Sequence, residues 1–287
     1  MIKLCLKILI WMLSIYLFFI PFSCKIDHGL EPINSKITGS ITFYGDVPPH
    51  TDEVRVAVVK NFPPKNIKSL LFSNMINFRN KTAEYELYLP RGTYEVVAVL
   101  WKEHNHSWNI SNVIGVYGGS VIGDLLIPTY IPITIADNNT IVKNIDIAAT
   151  LERVNRDAQI KGTINFKGDW PDNTGVMAVG AFTEIPDQGN YIDYFFKSMF
   201  IDYSIPIFVS STDYTLRVQG GETVKYIAAL WIDDSFNLTS ITDVGFYPDP
   251  EGSSGTVPGS VTVPLNSVRT GINIMVDFSK TALEGSE

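Results

Sequence analysis

The feature that most constrains the fold is an internal duplication. Residues 37–48 read ITGSITFYGDVP, and residues 160–171 read IKGTINFKGDWP, with the same glycine spacing 123 positions further along the chain. Further blocks recur in the same order, pairing 85–92 with 214–221, 96–101 with 226–231, 113–117 with 243–247, and 133–135 with 261–263. A unit of about 125 residues is too long for a solenoid repeat and matches a whole domain. The sequence therefore predicts two copies of one domain.

Within each copy, apolar and polar residues alternate, as Ile37, Ile41 and Phe43 do with the polar residues between them. This period of two is typical of strands with one buried face. We predict an all-β protein with two tandem antiparallel β-sandwich domains of about seven strands each, over residues 36–150 and 158–280. The predicted strands lie near 36–44, 53–60, 83–89, 93–101, 112–117, 131–135 and 141–148, then near 158–167, 175–183, 205–209, 213–218, 223–232, 260–264 and 271–278.

Two motifs in each copy resemble a known family. Residues 37–45 follow I-x-G-x-I-x-F-x-G and residues 85–96 follow Y-x-L-x-L-P-x-G-x-Y-x-V, and much of this pattern returns at 160–168 and 214–221. On these residues each copy resembles the carboxypeptidase-regulatory-like, or transthyretin-like, β-sandwich family. The resemblance implies a folding or interaction module rather than a catalytic one. A generic immunoglobulin-like sandwich fits the same strand pattern.

The N-terminus has the layout of an export signal. Lys3 and Lys7 precede an uncharged apolar run of 15 residues, and Ser23 precedes Cys24. This segment is similar to a bacterial lipoprotein signal peptide, although Pro21 stands where that family usually has leucine. The resemblance implies removal of residues 1–23, acylation of Cys24, a tether over residues 24–35, and anchoring in the cell envelope, at the outer membrane in a Gram-negative cell. An ordinary signal peptide or an uncleaved anchor are the alternatives.

Charge and cysteine content exclude several classes of function. The formal net charge is −8, and it falls to −10 without residues 1–23, which carry two lysines and no acid. Nucleic-acid binding needs clustered Lys and Arg, so nucleic acid is not an expected partner. The cysteines are Cys5 and Cys24, so a chain that has lost its leader has no internal disulfide and depends on its apolar core.

No catalytic motif stands out. The chain has no Gly-x-Ser-x-Gly elbow, phosphate-binding loop or His-Glu-x-x-His motif. In Glu103-His104-Asn105-His106, both imidazoles would face one ion if the segment were extended, but we favour a polar loop. We therefore predict no catalytic, cofactor or metal site, with Cys24 as the lipid attachment.

A calcium site is the second metal hypothesis. Asp233 and Asp234, together with Asp243 or Asp249, offer the oxygen ligands that Ca²⁺ requires. The EF-hand spacing is missing, so we favour a solvated acidic loop over a calcium site.

The most unusual segment is the aromatic stretch 190–203, whose counterpart in the first copy is 61–81. Exposed, it would form a patch for protein or sugar; buried, it would be a helix or edge strand covering the sandwich, which we favour. The resulting hypothesis is a non-enzymatic envelope lipoprotein that binds or scaffolds envelope protein or polysaccharide, with no deep polar cleft. The alternatives are a carbohydrate-binding or calcium-dependent adhesion module and an enzyme of unrecognised type.

Overall fold

The computed structural model describes residues 33–64, 67–123, 125–187, 189–237, 240–251, 255 and 257–279. The predicted signal peptide and Cys24 lie outside these ranges. From Asn34 onward the chain forms one compact unit. Within the described ranges, no helix is both long enough and apolar enough to cross a bilayer.

The first copy forms a two-layered sandwich. Its strands are β1 (Lys36–Tyr44), β2 (Thr51–Val59), β3 (Leu71–Phe72), β4 (Thr82–Tyr88), β5 (Gly92–Tyr94), β6 (Val96–Glu103), β7 (Val113–Val116), β8 (Ser120–Ile122), β9 (Leu125–Ile127), β10 (Ile133–Ile135), β11 (Ile141–Val142) and β12 (Ile147–Thr150). One layer contains β11, β1, β12 and β4, and the other has the order β7-β6-β2-β3. A single pairing of Ala149 with Gly115 joins the layers along one edge.

The second copy repeats this arrangement. Its elements are β13 (Ala158–Lys167), β14 (Thr174–Phe182), α1 (Tyr191–Phe196), β15 (Ser198–Ile205), β16 (Ser211–Val218), β17 (Thr223–Val224), β18 (Tyr226–Asp233), β19 (Thr242–Phe246), β20 (Val261–Thr262), β21 (Val268–Arg269) and β22 (Ile274–Asp277). The layers are β16-β13 with β21 and β22, and β15-β14-β18-β19. Each copy encloses its own cluster of buried apolar side chains.

The duplication extends to individual hydrogen bonds. Trp101 donates its indole N–H to Thr51 Oγ1 at 2.8 Å, and Trp231 donates to Thr174 Oγ1 at 2.9 Å. The pairing of β6 with β7 has a register shift after Val99. The pairing of β18 with β19 has a register shift after Ala229, which is the equivalent position in the second copy. Both copies therefore use one set of structural devices.

In each copy, a tyrosine and a glycine hold the segment that precedes the last strand close to the first strand. Tyr85 donates its hydroxyl to the carbonyl of Ile145 at 2.8 Å, and Tyr214 donates to Ile272 at 2.6 Å. Directly beside that carbonyl lies Gly162, where an added Cβ would come 2.5 Å from the carbonyl carbon of Ile272 and nearer still to its oxygen. The glycines of the repeated motif are therefore required by close backbone approach.

The predicted all-β fold with two sandwiches is confirmed, with one addition. The last strand of each copy runs parallel to the first, β12 beside β1 and β22 beside β13, while the remaining named pairs, apart from β11 and β21, are antiparallel. The chain reaches these last strands through a long connection from the opposite layer. A hairpin would force antiparallel pairing, whereas a long connection permits parallel pairing.

Several predicted boundaries are wrong. The strand expected at 205–209 is absent, since β15 ends at Ile205 and Pro206 lacks the N–H that a ladder needs. The helix considered for 190–203 covers only Tyr191–Phe196 and is followed directly by β15. Strand β19 was not among the predicted strands, although it lies in a duplicated block.

Candidate binding cleft between the sandwiches

The outer faces of the two sandwiches meet at an apolar contact. Two clusters of buried side chains, one on β2, β6 and β7 and one on β14, β15 and β18, both include Phe62 and Phe196. The ring of Tyr130 lies 5.1 Å from that of Phe62 and 6.2 Å from that of Phe196. Aromatic side chains bury large areas, so this contact ties the copies together. We call the whole contact region the junction.

A buried arginine forms the polar centre of the junction. Arg156, in the segment between β12 and β13, is 6% exposed. Its Nε donates to the carbonyl of Met199 at 3.0 Å and its Nη2 to Asn112 Oδ1 at 2.8 Å. The guanidinium also lies 4.8 Å from the ring centre of Phe200, at cation–π distance. Burial lowers the pKa of Arg156 to about 9, which leaves it charged at neutral pH.

Neighbouring polar side chains reinforce the junction. Arg153 donates through Nη2 to the carbonyls of Phe196 and Ser198, both at 3.0 Å. Asn109 of the first copy donates to the carbonyl of Ile201 in the second at 2.6 Å. The bond of Asn109 joins the two copies directly, and those of Arg153 attach the connecting segment to the second copy, so together they help to fix the relative orientation of the sandwiches.

An ion pair across the junction completes it. Glu103, at the end of β6, is 5% exposed and pairs with Arg217 of β16. Arg217 also donates to the carbonyl of Arg156 at 3.3 Å. Burial lowers the pKa of Arg217 because its guanidinium is partly withdrawn from water. The carboxylate of Glu103 compensates this positive charge.

A cleft of about 990 Å³ opens beside this ion pair, between the sandwiches. We call it the interdomain cleft. Trp101 and Glu103 lie on the first-copy side, Arg217 on the second-copy side, and Arg156 on the connecting segment. Asp157, also in the lining, accepts the backbone N–H of Gly220 at 2.7 Å. The expectation of no deep polar cleft is therefore wrong, because the junction places charged residues of both copies around one opening.

The interdomain cleft is lined in part by charged groups that already have partners within the protein. Its central charges are used within the protein, since Glu103 pairs with Arg217 and Asp157 holds a backbone amide. A volume of several hundred Å³ with a few polar groups suits a small polar ligand or an extended chain segment.

The histidine candidates do not lie on an extended segment. The backbone turns directly after β6, with Asn105 at a positive φ of 62° and the N–H of His106 bonded to the carbonyl of Glu103 at 3.1 Å. His104 is exposed, with Nδ1 3.7 Å from Asp52. Within the described ranges, no three His, Cys, Asp or Glu side chains are grouped closely enough to hold a metal ion.

The acidic residues proposed for calcium have separate surroundings. Asp233 accepts the N–H and hydroxyl of Ser235, and Asp249 accepts the N–H of Glu251 at 3.0 Å. Asp243 instead accepts the hydroxyl of Tyr226 at 2.9 Å. The structure does not bring these carboxylates together.

The aromatic segment 190–203 is largely buried, as favoured. Tyr194 is 1% exposed and Phe195 is 3% exposed, and both pack on the outer face of β14 and β18. The first-copy counterpart is mixed, since Phe62 and Phe72 are partly buried whereas Met75 is 61% exposed. Sequence reasoning missed Arg156 and Arg217, although two arginines in the connecting segment 151–157 were a visible signal.

Asp243 makes the stability of the second copy dependent on pH. Burial raises the pKa of this carboxyl, and hydrogen bonds from Tyr194 and Tyr226 oppose the rise only in part. The stabilising contribution of its neutral form is complete below the ordinary value of 3.8 and is lost as pH rises through the folded value. We expect Asp243→Asn to be more stable than wild type by about 1 kcal/mol at pH 8, and to equal it at low pH.

Urea unfolding between pH 4 and pH 8 measures this difference. Asp234→Asn, at an exposed position, removes the same formal charge and is expected to leave the pH profile unchanged. A wild type and an Asp243→Asn variant with parallel pH profiles would contradict the assignment.

Comparison with known proteins gives only distant structural likeness. No family model matches the chain, and no curated protein matches it. Solved structures that share features include a leucine-rich repeat protein from Bacteroides thetaiotaomicron, with 13% identity and a TM-score of 0.30 over 84% of this chain. The present chain spans 26% of that protein's length.

Two further neighbours come from related bacteria. A candidate cell adhesion protein from Bacteroides fragilis is 11% identical with a TM-score of 0.26, covering 88% of this chain and 95% of its own. A candidate adhesin from Bacteroides ovatus is 10% identical with a TM-score of 0.23, covering 74% of this chain and 82% of its own. At these scores the comparisons carry no argument about function.

Proposed function

We propose that this protein is a non-enzymatic lipoprotein of the bacterial cell envelope that binds or scaffolds other envelope components. In this proposal residues 1–23 are the signal peptide, acylated Cys24 holds membrane lipid, residues 24–35 are the tether, and the domains are 36–150 and 158–280. The observation that carries the binding role is the junction, which fixes two sandwiches around the interdomain cleft. Its ligand is an envelope protein or polysaccharide.

The rigid arrangement favours binding over chemistry. Three charged side chains of the interdomain cleft make contacts that join the copies. They are Arg156, Glu103 and Arg217. A general acid or base must instead be within hydrogen-bond reach of a substrate proton. These three ionisable groups of the interdomain cleft thus have a structural task, which supports a non-enzymatic role for them.

The anchor is tested by comparing the full chain with Cys24→Ala. Mass spectrometry of the expressed protein is expected to show acyl mass on the wild-type N-terminal cysteine, with the protein in the membrane fraction. Cys24→Ala is expected to lack that mass and to move at least tenfold toward the soluble fraction. Ser14→Ala, a small change inside the apolar run and away from the cleaved bond, serves as the control for an altered leader. Soluble, unacylated wild-type protein would remove the anchor from the proposal.

A further inference from the structure

One end of the second sandwich carries four aromatic rings that contact one another, with Trp170 tilted against the other three. The ring of Trp170 lies 4.5 Å from that of Phe166, 4.8 Å from Phe278 and 5.7 Å from Phe208. Its indole N–H donates to the carbonyl of Val209 at 3.0 Å. We call this group the aromatic cluster. Trp170 crosses from the loop after β13 to the segment before β16 and closes this end of the sandwich.

The first copy shares two backbone hydrogen bonds with the second at this end. The N–H of Phe43 bonds to the carbonyl of Lys81 at 2.8 Å, as that of Phe166 bonds to Ser210 at 2.9 Å. The N–H of Leu151 bonds to the carbonyl of Tyr44 at 2.8 Å, and the matching bond in the second copy is 2.9 Å. These paired bonds align the two copies around the first and last strands. Ahead of Ser210 the backbones differ, since Phe208 has a positive φ of 59° and Arg79, its counterpart by sequence offset, does not.

The side chains differ at three of the four ring positions. By this register Val47 occupies the place of Trp170, while Leu151 and Arg79 take the places of two phenylalanines. Phe43 retains the ring of Phe166. The smaller groups leave an open cleft of about 490 Å³ at this end of the first copy. We call it the end cleft.

The end cleft has a mixed polar and apolar lining and a cationic rim. Phe43, Val47 and Phe78 line it, and Val47 is 38% exposed. On the rim are Arg79 and Lys81, both exposed, with a single acid, Asp46, in the lining. A group that binds in the end cleft must therefore contact apolar side chains and also lie favourably beside two positive charges.

We propose that the end cleft binds a tryptophan side chain of a partner polypeptide, seated as Trp170 is seated in the second copy. The second copy shows that this backbone frame accepts an indole. Arg79, at the position of the exposed Phe208, would cover the docked ring through a cation–π contact. The carbonyl of Asn80 corresponds by register to that of Val209 and provides the acceptor for the indole N–H.

The positive charge of the rim restricts which sequences around the tryptophan are favoured. Arg79 and Lys81 together outweigh Asp46, on a chain whose net charge is −8. A tryptophan flanked by acidic residues gains from this local positive potential, which also steers its approach. The proposal goes beyond the proposed function because it names a second surface and the side chain that the surface accepts.

N-acetyl-tryptophanamide is the probe, titrated into the isotopically labelled full chain and followed by amide chemical shifts. Binding in the range of about 1 mM is expected for a ligand of this size, with shifts at residues 43–47 and 78–81. N-acetyl-leucinamide is expected to bind at least tenfold more weakly. Val47→Trp fills the end cleft with the chain's own indole and should weaken probe binding at least tenfold, whereas Val47→Ile should leave it within twofold.

The second copy provides a matched control. Trp170→Val creates the corresponding opening there, and free indole is expected to raise the melting temperature of that variant more than that of wild type. Arg79→Ser on the exposed rim tests the same contact without filling the cleft, and should weaken the probe at least threefold. Probe binding that is equal in wild type and Val47→Trp, or equal for the tryptophan and leucine analogues, overturns the proposal. The acylation of Cys24 is not involved in these readouts, so the two proposals fail separately.

Discussion

Replacing Gly162 with alanine is expected to lower the free energy of unfolding by about 3 kcal/mol, since the added methyl group has no room. The new Cβ would lie 2.5 Å from the carbonyl carbon of Ile272, which is backbone and cannot rotate away. Tyr214 holds that same carbonyl through its hydroxyl at 2.6 Å, so relief of the clash would break this bond as well. For a chain of this size the loss corresponds to roughly 6–12 °C in melting temperature.

Equilibrium unfolding in urea measures the effect. Lys161→Ala, at the exposed position next along the same strand, is expected to stay within about 0.5 kcal/mol of wild type. Gly39→Ala repeats the experiment in the first copy, where the added group would meet the backbone of Ile145. A Gly162→Ala protein as stable as wild type would show that the chain does not cross over β13 this closely.

Replacing Arg156 with alanine is expected to have the second large effect, a loss of about 2–4 kcal/mol. The change leaves the carbonyl of Met199 and the side chain of Asn112 without their donor, and it opens a space beside Phe200. Because these partners lie in different copies, the loss should appear first as loosening of the junction. Limited proteolysis within residues 151–157 is then faster, before either sandwich unfolds.

Two controls separate this role from a general effect of charge. Arg91→Ala removes an exposed arginine and is expected to change stability by less than about 0.5 kcal/mol. Arg156→Lys keeps the charge but loses the planar fork that reaches both acceptors, so it should fall between alanine and wild type. Unchanged stability and unchanged cleavage in Arg156→Ala would mean that the junction depends on the apolar contact alone.

The duplication and the alternation of apolar residues were sufficient to predict the sandwiches, because both can be read from the order of residue types without knowing which strands pair. Ile37, Ile41 and Phe43 are buried on one face of β1, as their spacing indicates. Strand β19 was not predicted because Asp243 and Gly245 have low strand propensity. Pairing with β18 overrides that preference in the structure. Strand β15 was ambiguous because a dense apolar run fits helix and strand alike.

The junction could not be predicted in the same way. Arg156 meets Asn112 and Met199 at sequence separations of 44 and 43 residues, and only the packing of one copy on the other brings them together. The end cleft was also hidden, although Val47 and Trp170 stand at matching positions of the repeat. A substitution within a duplicated motif becomes informative once the backbone around it is known to be the same.

The parallel pairing of the terminal strands determines how each sandwich carries a mechanical load. Four residue pairs join Ile41–Tyr44 of β1 to Ile147–Thr150 of β12, and the matching pairs join β13 to β22. A pull between Lys36 and Thr150 drags these strands past one another lengthwise, so the hydrogen bonds of the pair are strained together. A hairpin pulled from its two ends breaks one bond at a time. Each copy is therefore expected to resist a pull between its two ends by shear of this parallel strand pair, so that all four residue pairs must give way together.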